Sequence, residues 1–328
     1  MQALLAPLKE LAEYDEVRKI VRQGKGTVAL SGCVDSQKLH MIYGLSDGLK
    51  YKVIVTYNDL KAKEIYEEYR FYDRNVMLYP AKDLIFFQAD IHGNQLVQER
   101  IKTLRRVVEG KPVTIVTTYA ALMTPQVLWE EKDIIRTERG GSLDESKLAS
   151  RLVAMGYEKA YQVESPGQFS IRGGIVDIFD LTEENPYRIE LWGDEIDSIR
   201  SFDAESQRSL ENLDEITIYP ATEKMDSEDM VSFLDYFPEE KTLLFLDELN
   251  HLAENGEGVE EEYRQSRMHR EEKGEANLPE QWLCGFQEVQ KKLNRRNCVA
   301  VSALSPRRSG WKINEEFDLT VKSVDSYN

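Results

Sequence analysis

A mostly parallel α/β sheet domain interrupted by a small antiparallel β module is the fold class this sequence predicts, and three observations predict it. Short apolar runs alternate with amphipathic stretches through the first 120 residues. After about residue 140 the rhythm changes to closely spaced segments of alternating polarity. From residue 226 the chain returns to helix and strand. Strands alternating with helices imply βαβ units, and a run of short alternating strands implies antiparallel pairing.

The elements follow in order. Residues 4–22 carry Leu4, Leu5, Leu8, Leu11, Val17, Ile20 and Val21 at roughly helical spacing. Thr27–Ser31 reads as a strand, 36–47 as a helix, 52–56 as a strand and 59–71 as a helix. Two more strands, 75–79 and 113–117, flank a helix over 94–109. Leu143 opens a helix ending near Gly156, and five short strands follow at 168–172, 175–179, 187–192, 196–202 and 215–219. Gly173-Gly174 and Gly193-Asp194 stand between them, where tight hairpin turns need positive φ. Thr242–Leu246 is a buried-strand run, 251–276 a solvated helix dense in Glu and Arg, and 299–303 and 317–321 further strands. The expected division is 1–125 as an α/β domain, 126–222 as an inserted β domain, and 223–328 as a second α/β segment completing the first.

Composition narrows the function classes. The 328 residues are 41% hydrophobic and 31% charged, a soluble globular balance with no apolar run near the ~20 residues of a membrane span. The N-terminus has dispersed charges and no small-residue cleavage site, unlike a secretory signal. Cys33, Cys284 and Cys298 are odd in number and widely separated, which argues against a disulfide framework or zinc site and fits a reducing cytoplasm. Four scattered histidines offer little to a metal centre. Residues 1–120 carry a net +3, residues 121–220 a net −11 and the remainder −9. Such a surface grips a phosphate backbone poorly, so DNA affinity is expected to be weak or absent.

One motif is nearly present. The first strand runs into Gly32-Cys-Val-Asp-Ser-Gln-Lys-Leu39, which occupies the place of a phosphate-binding loop, G-x-x-x-x-G-K-[ST]. Gly32 and Lys38 have the correct spacing. Gln37 replaces the second glycine and crowds the approach of backbone amides to phosphate. Leu39 replaces the hydroxyl that would ligate Mg²⁺. Asp247-Glu248, after an apolar strand, resembles the acidic pair that holds Mg²⁺ in such nucleotidases, although acidic residues at strand ends are also ordinary helix-start signals. Together these mark a P-loop-like sheet domain whose loop is degenerate, with no catalytic residue, cofactor or metal expected.

The stretch from Gly167 to Arg208 is the most distinctive in the chain. Phe169 to Phe179 reads F-x-x-R-G-G-I-V-D-I-F, and Tyr187 to Asp197 reads Y-R-I-E-L-W-G-D-E-I-D. These phrases resemble the inserted β domain shared by the bacterial excision-repair protein UvrB and the transcription-repair coupling factors. Flanking phrases, Val113 to Met123 and Leu152 to Tyr157, agree with it. UvrB keeps a working phosphate loop and a tyrosine-rich DNA-clamping hairpin. Here the loop is degenerate, and the stretch from Tyr79 to Arg100 is short, its aromatics being Tyr79, Phe86 and Phe87. Both departures resemble the N-terminal UvrB-like module of the coupling factors.

That resemblance implies a silent UvrB mimic that docks the repair protein UvrA and recruits it to RNA polymerase stalled at DNA damage, in the bacterial cytoplasm and nucleoid. ATP, Mg²⁺, polymerase contact and DNA translocation would belong to other domains of a longer parent, whose motor motifs are expected beyond Asn328. The alternative is a divergent UvrB acting as an ATP-dependent damage-recognition subunit. The family's UvrA-contacting positions match Arg172, Arg188 and Trp192. Arg188 and Trp192 are four apart and share a face if extended, and arginine beside a wide aromatic is the composition of interface hot spots. A structural alternative has both arginines in internal salt bridges, for example to Glu190 or Asp194, with Trp192 in the core.

Overall fold

The computed structural model describes residues 5–11, 13–24, 26–82, 93–223, 230–305 and 310–319. The chain divides into two units, one of 1–90, 109–126 and 231–328, the other of 91–108 and 127–230. Among the described residues no helix is long and apolar enough to cross a membrane.

The first unit is built on a seven-stranded sheet in the order Ile313–Asp318, Thr27–Ser31, Cys298–Val301, Thr242–Asp247, Tyr51–Thr56, Val113–Thr118, Val76–Tyr79. Every pairing in it is parallel. The inner strands are runs of Val, Ile, Leu and Ala because both faces are covered, which suits parallel sheets. Strands from the two ends of the chain interleave, so neither end forms the sheet alone. Helices Asp35–Leu45 and Asp59–Tyr69 follow the first two strands. Asn58 caps the latter by accepting the Lys61 amide at 2.8 Å. Val28, Leu30, Ile54, Val116, Phe245 and Val299 form the centre of one core. Each such side chain contributes about 1.5–3 kcal/mol by leaving water. Helix Leu249–Lys273 lies close enough to Tyr119 and Phe286 that a Cβ on Gly256 would meet their rings at 2.9 and 2.6 Å.

The second unit carries a six-stranded sheet in the order Ser209–Leu213, Glu195–Phe202, Tyr187–Trp192, Ile175–Ile178, Gln168–Arg172, Glu158–Lys159. It is antiparallel except at one edge, where Glu158–Lys159 pairs parallel to Gln168–Arg172. Its inner face packs Phe169, Val176, Ile178, Ile189, Ile196 and Ile199 against Leu148 and Leu152 of helix Glu145–Ala154.

Several expectations shift. The N-terminal pattern gives a 3₁₀ turn, Pro7–Glu10, and a separate helix, Tyr14–Gln23, rather than one helix over 4–22. Pro7 suits a helix start, and Gly24 at φ +70° ends the second piece. The helix Gly93–Val108, expected inside a first domain of 1–125, groups with the second unit. The reason is buried polar pairing: Arg100 forks Glu223 at 2.9 and 3.1 Å, and Gln98 donates to the Leu181 carbonyl at 2.8 Å. Glu215–Ile218 leaves the main β sheet and pairs with Ile135–Glu138. The last strand falls at Ile313–Asp318, earlier than 317–321. Of the short stretch from Tyr79 to Arg100 that contrasts with UvrB's hairpin, residues 83–92, with Phe86 and Phe87, lie outside the described residues.

Candidate functional site: a closed loop and an arginine-lined sheet face

The loop at 32–39 turns its polar groups inward. Gly32 holds φ +80°, and a Cβ there would lie 2.7 Å from the Leu319 carbonyl oxygen and 3.0 Å from the Asp318 carboxylate. Several of its amides are already engaged: Cys33 N–H donates to the Ser302 carbonyl at 3.2 Å, and those of Gln37 and Lys38 donate to the Val34 carbonyl at 2.9 and 3.0 Å. The Val34 amide donates to the Gln37 side-chain oxygen at 3.2 Å, so Gln37 occupies a donor that phosphate would need. Leu39 is buried in the core.

Lys38 completes the closure. Its ammonium donates to Asp247 at 2.9 Å and Glu248 at 2.6 Å, with Asp35 at 3.3 Å. Asp247 also accepts from the Thr56 hydroxyl at 2.8 Å, and Glu248 from the Ala303 amide at 2.8 Å. Glu248 sits at φ +55°, unusual for a non-glycine residue. Burial pulls the lysine's pKa down, but Asp247 and Glu248 outweigh it and hold it above its ordinary value. Hydrogen bonding to Lys61 holds the Asp35 carboxyl below its own. The adjoining cleft has about 10 Å³ of free volume, far below the ~300 Å³ of small-molecule pockets. The structure therefore brings Lys38, Asp247 and Glu248 together, as a closed cluster in which the carboxylates fully engage the ammonium.

The outer face of the six-stranded sheet is different in character. Alternation along Tyr187–Trp192 sends Ile189 into the core and leaves Arg188, Glu190 and Trp192 on the other side. Register places Arg188 opposite Asp177, which in turn lies opposite Ser170. Asp177, its side chain 1% exposed, accepts a forked pair from Arg188, Nε at 2.6 Å and Nη2 at 2.8 Å. Arg172 Nη2 reaches the same carboxylate at 3.2 Å. Arg188 also donates to Gln207 at 2.9 Å and lies 4.2 Å over the Phe202 ring, while Arg172 lies 5.6 Å over Tyr161. Hydrogen bonding to Asp177 holds the Arg188 guanidinium above its ordinary pKa, and that to Arg200 holds Glu190 below its own. Trp192 stands out at 84% exposed.

Arg172, Arg188 and Trp192 are thus assembled on one face. The structural alternative is half right. The arginines do pair internally, but with Asp177 rather than Glu190 or Asp194, and Trp192 is exposed rather than core. Sequence reasoning gave no role to Asp177, Tyr161 or Gln207. Asp177 lies inside the phrase R-G-G-I-V-D, and only the strand register reveals its partner.

The UvrB interaction domain model matches residues 135–223, the span that contains this face. The transcription-repair-coupling factor of Bacillus subtilis strain 168 is 34% identical over 222 residues, 66% of this chain and 19% of that protein. Those of Staphylococcus aureus strains MRSA252 and USA300 are each 32% identical over 242 residues, 71% of this chain and 20% of theirs. The chain spans about a fifth of the length of these curated relatives. With a UvrB interaction domain interrupting, in sequence, a parallel sheet whose phosphate loop is closed, the chain matches the N-terminal UvrB-like module of the transcription-repair-coupling factors.

Proposed function

We propose that this module acts in transcription-coupled repair by docking UvrA, bringing it to RNA polymerase stalled at damaged DNA, and that it does so without binding or hydrolysing ATP. The observation that carries this is the exposed Trp192 on the same sheet face as an arginine pair held on the buried Asp177, within the stretch matched by the UvrB interaction domain. An exposed tryptophan next to ordered guanidinium groups is the usual composition of an energetic centre at a protein interface. The ammonium that would meet a nucleotide's phosphates is already neutralised by Asp247 and Glu248, which supports a silent loop. Polymerase contact, DNA translocation and the use of ATP and Mg²⁺ are assigned to other parts of a longer parent, acting in the cytoplasm and on the nucleoid.

Titration of purified UvrA into the chain tests the docking. A defined complex is expected, weakened by Trp192→Ala at unchanged melting temperature. No complex, or one indifferent to Trp192, Arg188 and Arg172 alike, would remove the reading. A flat calorimetric titration with Mg-ATP to millimolar concentration is expected for the loop.

A further inference from the structure

Resting on that docking reading, we infer that Tyr161 is a further contact residue, the second wall of an aromatic-flanked arginine slot that receives a carboxylate-bearing segment of the docked repair protein. Tyr161 follows the edge strand Glu158–Lys159 and is 85% exposed. A tyrosine at a sheet edge would ordinarily fold its ring down onto apolar neighbours. Here its backbone is fixed instead, because Ser170, itself buried, donates its hydroxyl to the Tyr161 carbonyl at 2.9 Å. Its ring is occupied on one side by the Arg172 guanidinium at 5.6 Å.

Register puts these groups at one end of the sheet. Arg172 lies opposite Ile175, and Ile175 opposite Glu190, two residues before Trp192. The strands of Arg172 and Trp192 are separated by one strand, so roughly 10 Å apart at ordinary sheet spacing. Tyr161 stands on the far side of Arg172, so the two exposed aromatics bracket the arginines. Arg172 commits only Nη2 to Asp177; its Nε and Nη1 have no partner among the described residues. The slot therefore offers the open Nε–H and Nη1–H donors of Arg172 on a face flanked by the exposed Tyr161 and Trp192, and donors without acceptors suit a carboxylate rather than an ammonium.

Charge favours the same occupant. At the slot itself two guanidinium groups, Arg172 and Arg188, share the single carboxylate of Asp177 and leave a local excess of positive charge, while residues 121–220 as a whole carry −11. An acidic segment is disfavoured by the net negative charge of the rest of residues 121–220, so within that stretch it is directed to this slot.

The experiment measures UvrA affinity and melting temperature for the unaltered chain and for Tyr161→Ala, Tyr161→Phe, Tyr161→Lys and Tyr161→Glu. The expected result is about tenfold weaker binding for Tyr161→Ala, near-normal binding for Tyr161→Phe because the ring and not the hydroxyl is used, and Tyr161→Glu weaker than Tyr161→Lys. Melting temperatures should stay together, since the ring is almost fully exposed. Binding that survives Tyr161→Ala while Trp192→Ala abolishes it overturns the inference and leaves the docking reading standing. Equal binding by the Glu and Lys variants overturns the acidic occupant. Absence of binding by the unaltered chain overturns both readings.

Discussion

Lys38 Nζ lies 2.9 Å from Asp247 Oδ1, with 6% and 3% of the two side chains exposed. A charge pair this deep is held by mutual need. Desolvation of either ion alone is costly, and the attraction between them offsets it only while both are present.

Truncating one partner should therefore be severe. Lys38→Ala is expected to cost about 3–5 kcal/mol, because Asp247 would remain buried and unpaired. Urea denaturation measures it. A loss below about 1 kcal/mol, the worth of an exposed pair, would mean that water reaches the cluster freely. Lys38→Ala/Asp247→Ala should recover part of the loss.

The same pair sets a pH dependence. The folded lysine's pKa is raised above its unfolded value, so the stability it supplies is complete below the unfolded value and is lost as pH rises through the folded one. Between pH 7 and about 10 the cluster should thus hold its contribution. Denaturation midpoints of the wild type and Lys38→Met, compared along that range, should run parallel and converge only in stronger alkali. Convergence near pH 8 would contradict it.

Gly32 should prove structural. At φ +80°, with the Leu319 carbonyl oxygen 2.7 Å from where a Cβ would stand, Gly32→Ala faces both backbone strain and a backbone clash. A cost on the order of 1–3 kcal/mol follows from the strain. Chemical denaturation with and without ATP should show that loss with no effect of nucleotide.

Arg188→Ala should lower stability and UvrA affinity together, because it removes a face residue and strips the fork from the buried Asp177. Trp192→Ala should lower affinity alone. Arg188→Lys should fall between, since an ammonium supplies one of two forked bonds. Thermal melts and titrations on the same samples separate the two quantities. A destabilised Trp192→Ala chain would place that ring in packing rather than at the surface.

The parallel sheet was legible because Thr27–Ser31, Tyr51–Thr56, Val113–Thr118 and Thr242–Asp247 are continuous apolar or β-branched runs. Ser209–Leu213 was not. It is an edge strand, exposed along most of its length, so burial imposes no alternation on its residues. Ile313–Asp318 hides for the same reason behind Asn314, Glu315 and Glu316. Helix Gly93–Val108 has a clear period, yet periodicity does not tell which unit its face meets. The site divides similarly. Arg172, Arg188 and Trp192 could be named from their motif, while the Asp177 fork depends on which residues face each other across two strands. Lys38 could be seen as a lone motif remnant; its partners Asp247 and Glu248 lie 209 and 210 positions away.

The interleaved sheet also sets an order of events on the ribosome. Thr27 pairs with Cys298 on one side and Ile313 on the other. At ordinary translation rates the wait from the first of these residues to the second lasts roughly 15–55 s. Throughout it the strand Thr-Val-Ala-Leu-Ser has neither neighbour and presents its apolar side chains to whatever is near. The hairpins between residues 168 and 213 join strands adjacent in sequence and need no such wait. Nascent chains thus carry a finished six-stranded sheet while the seven-stranded one still lacks its later strands, and an early stop between residues 231 and 297 would release the finished sheet tethered to an aggregation-prone, half-built one.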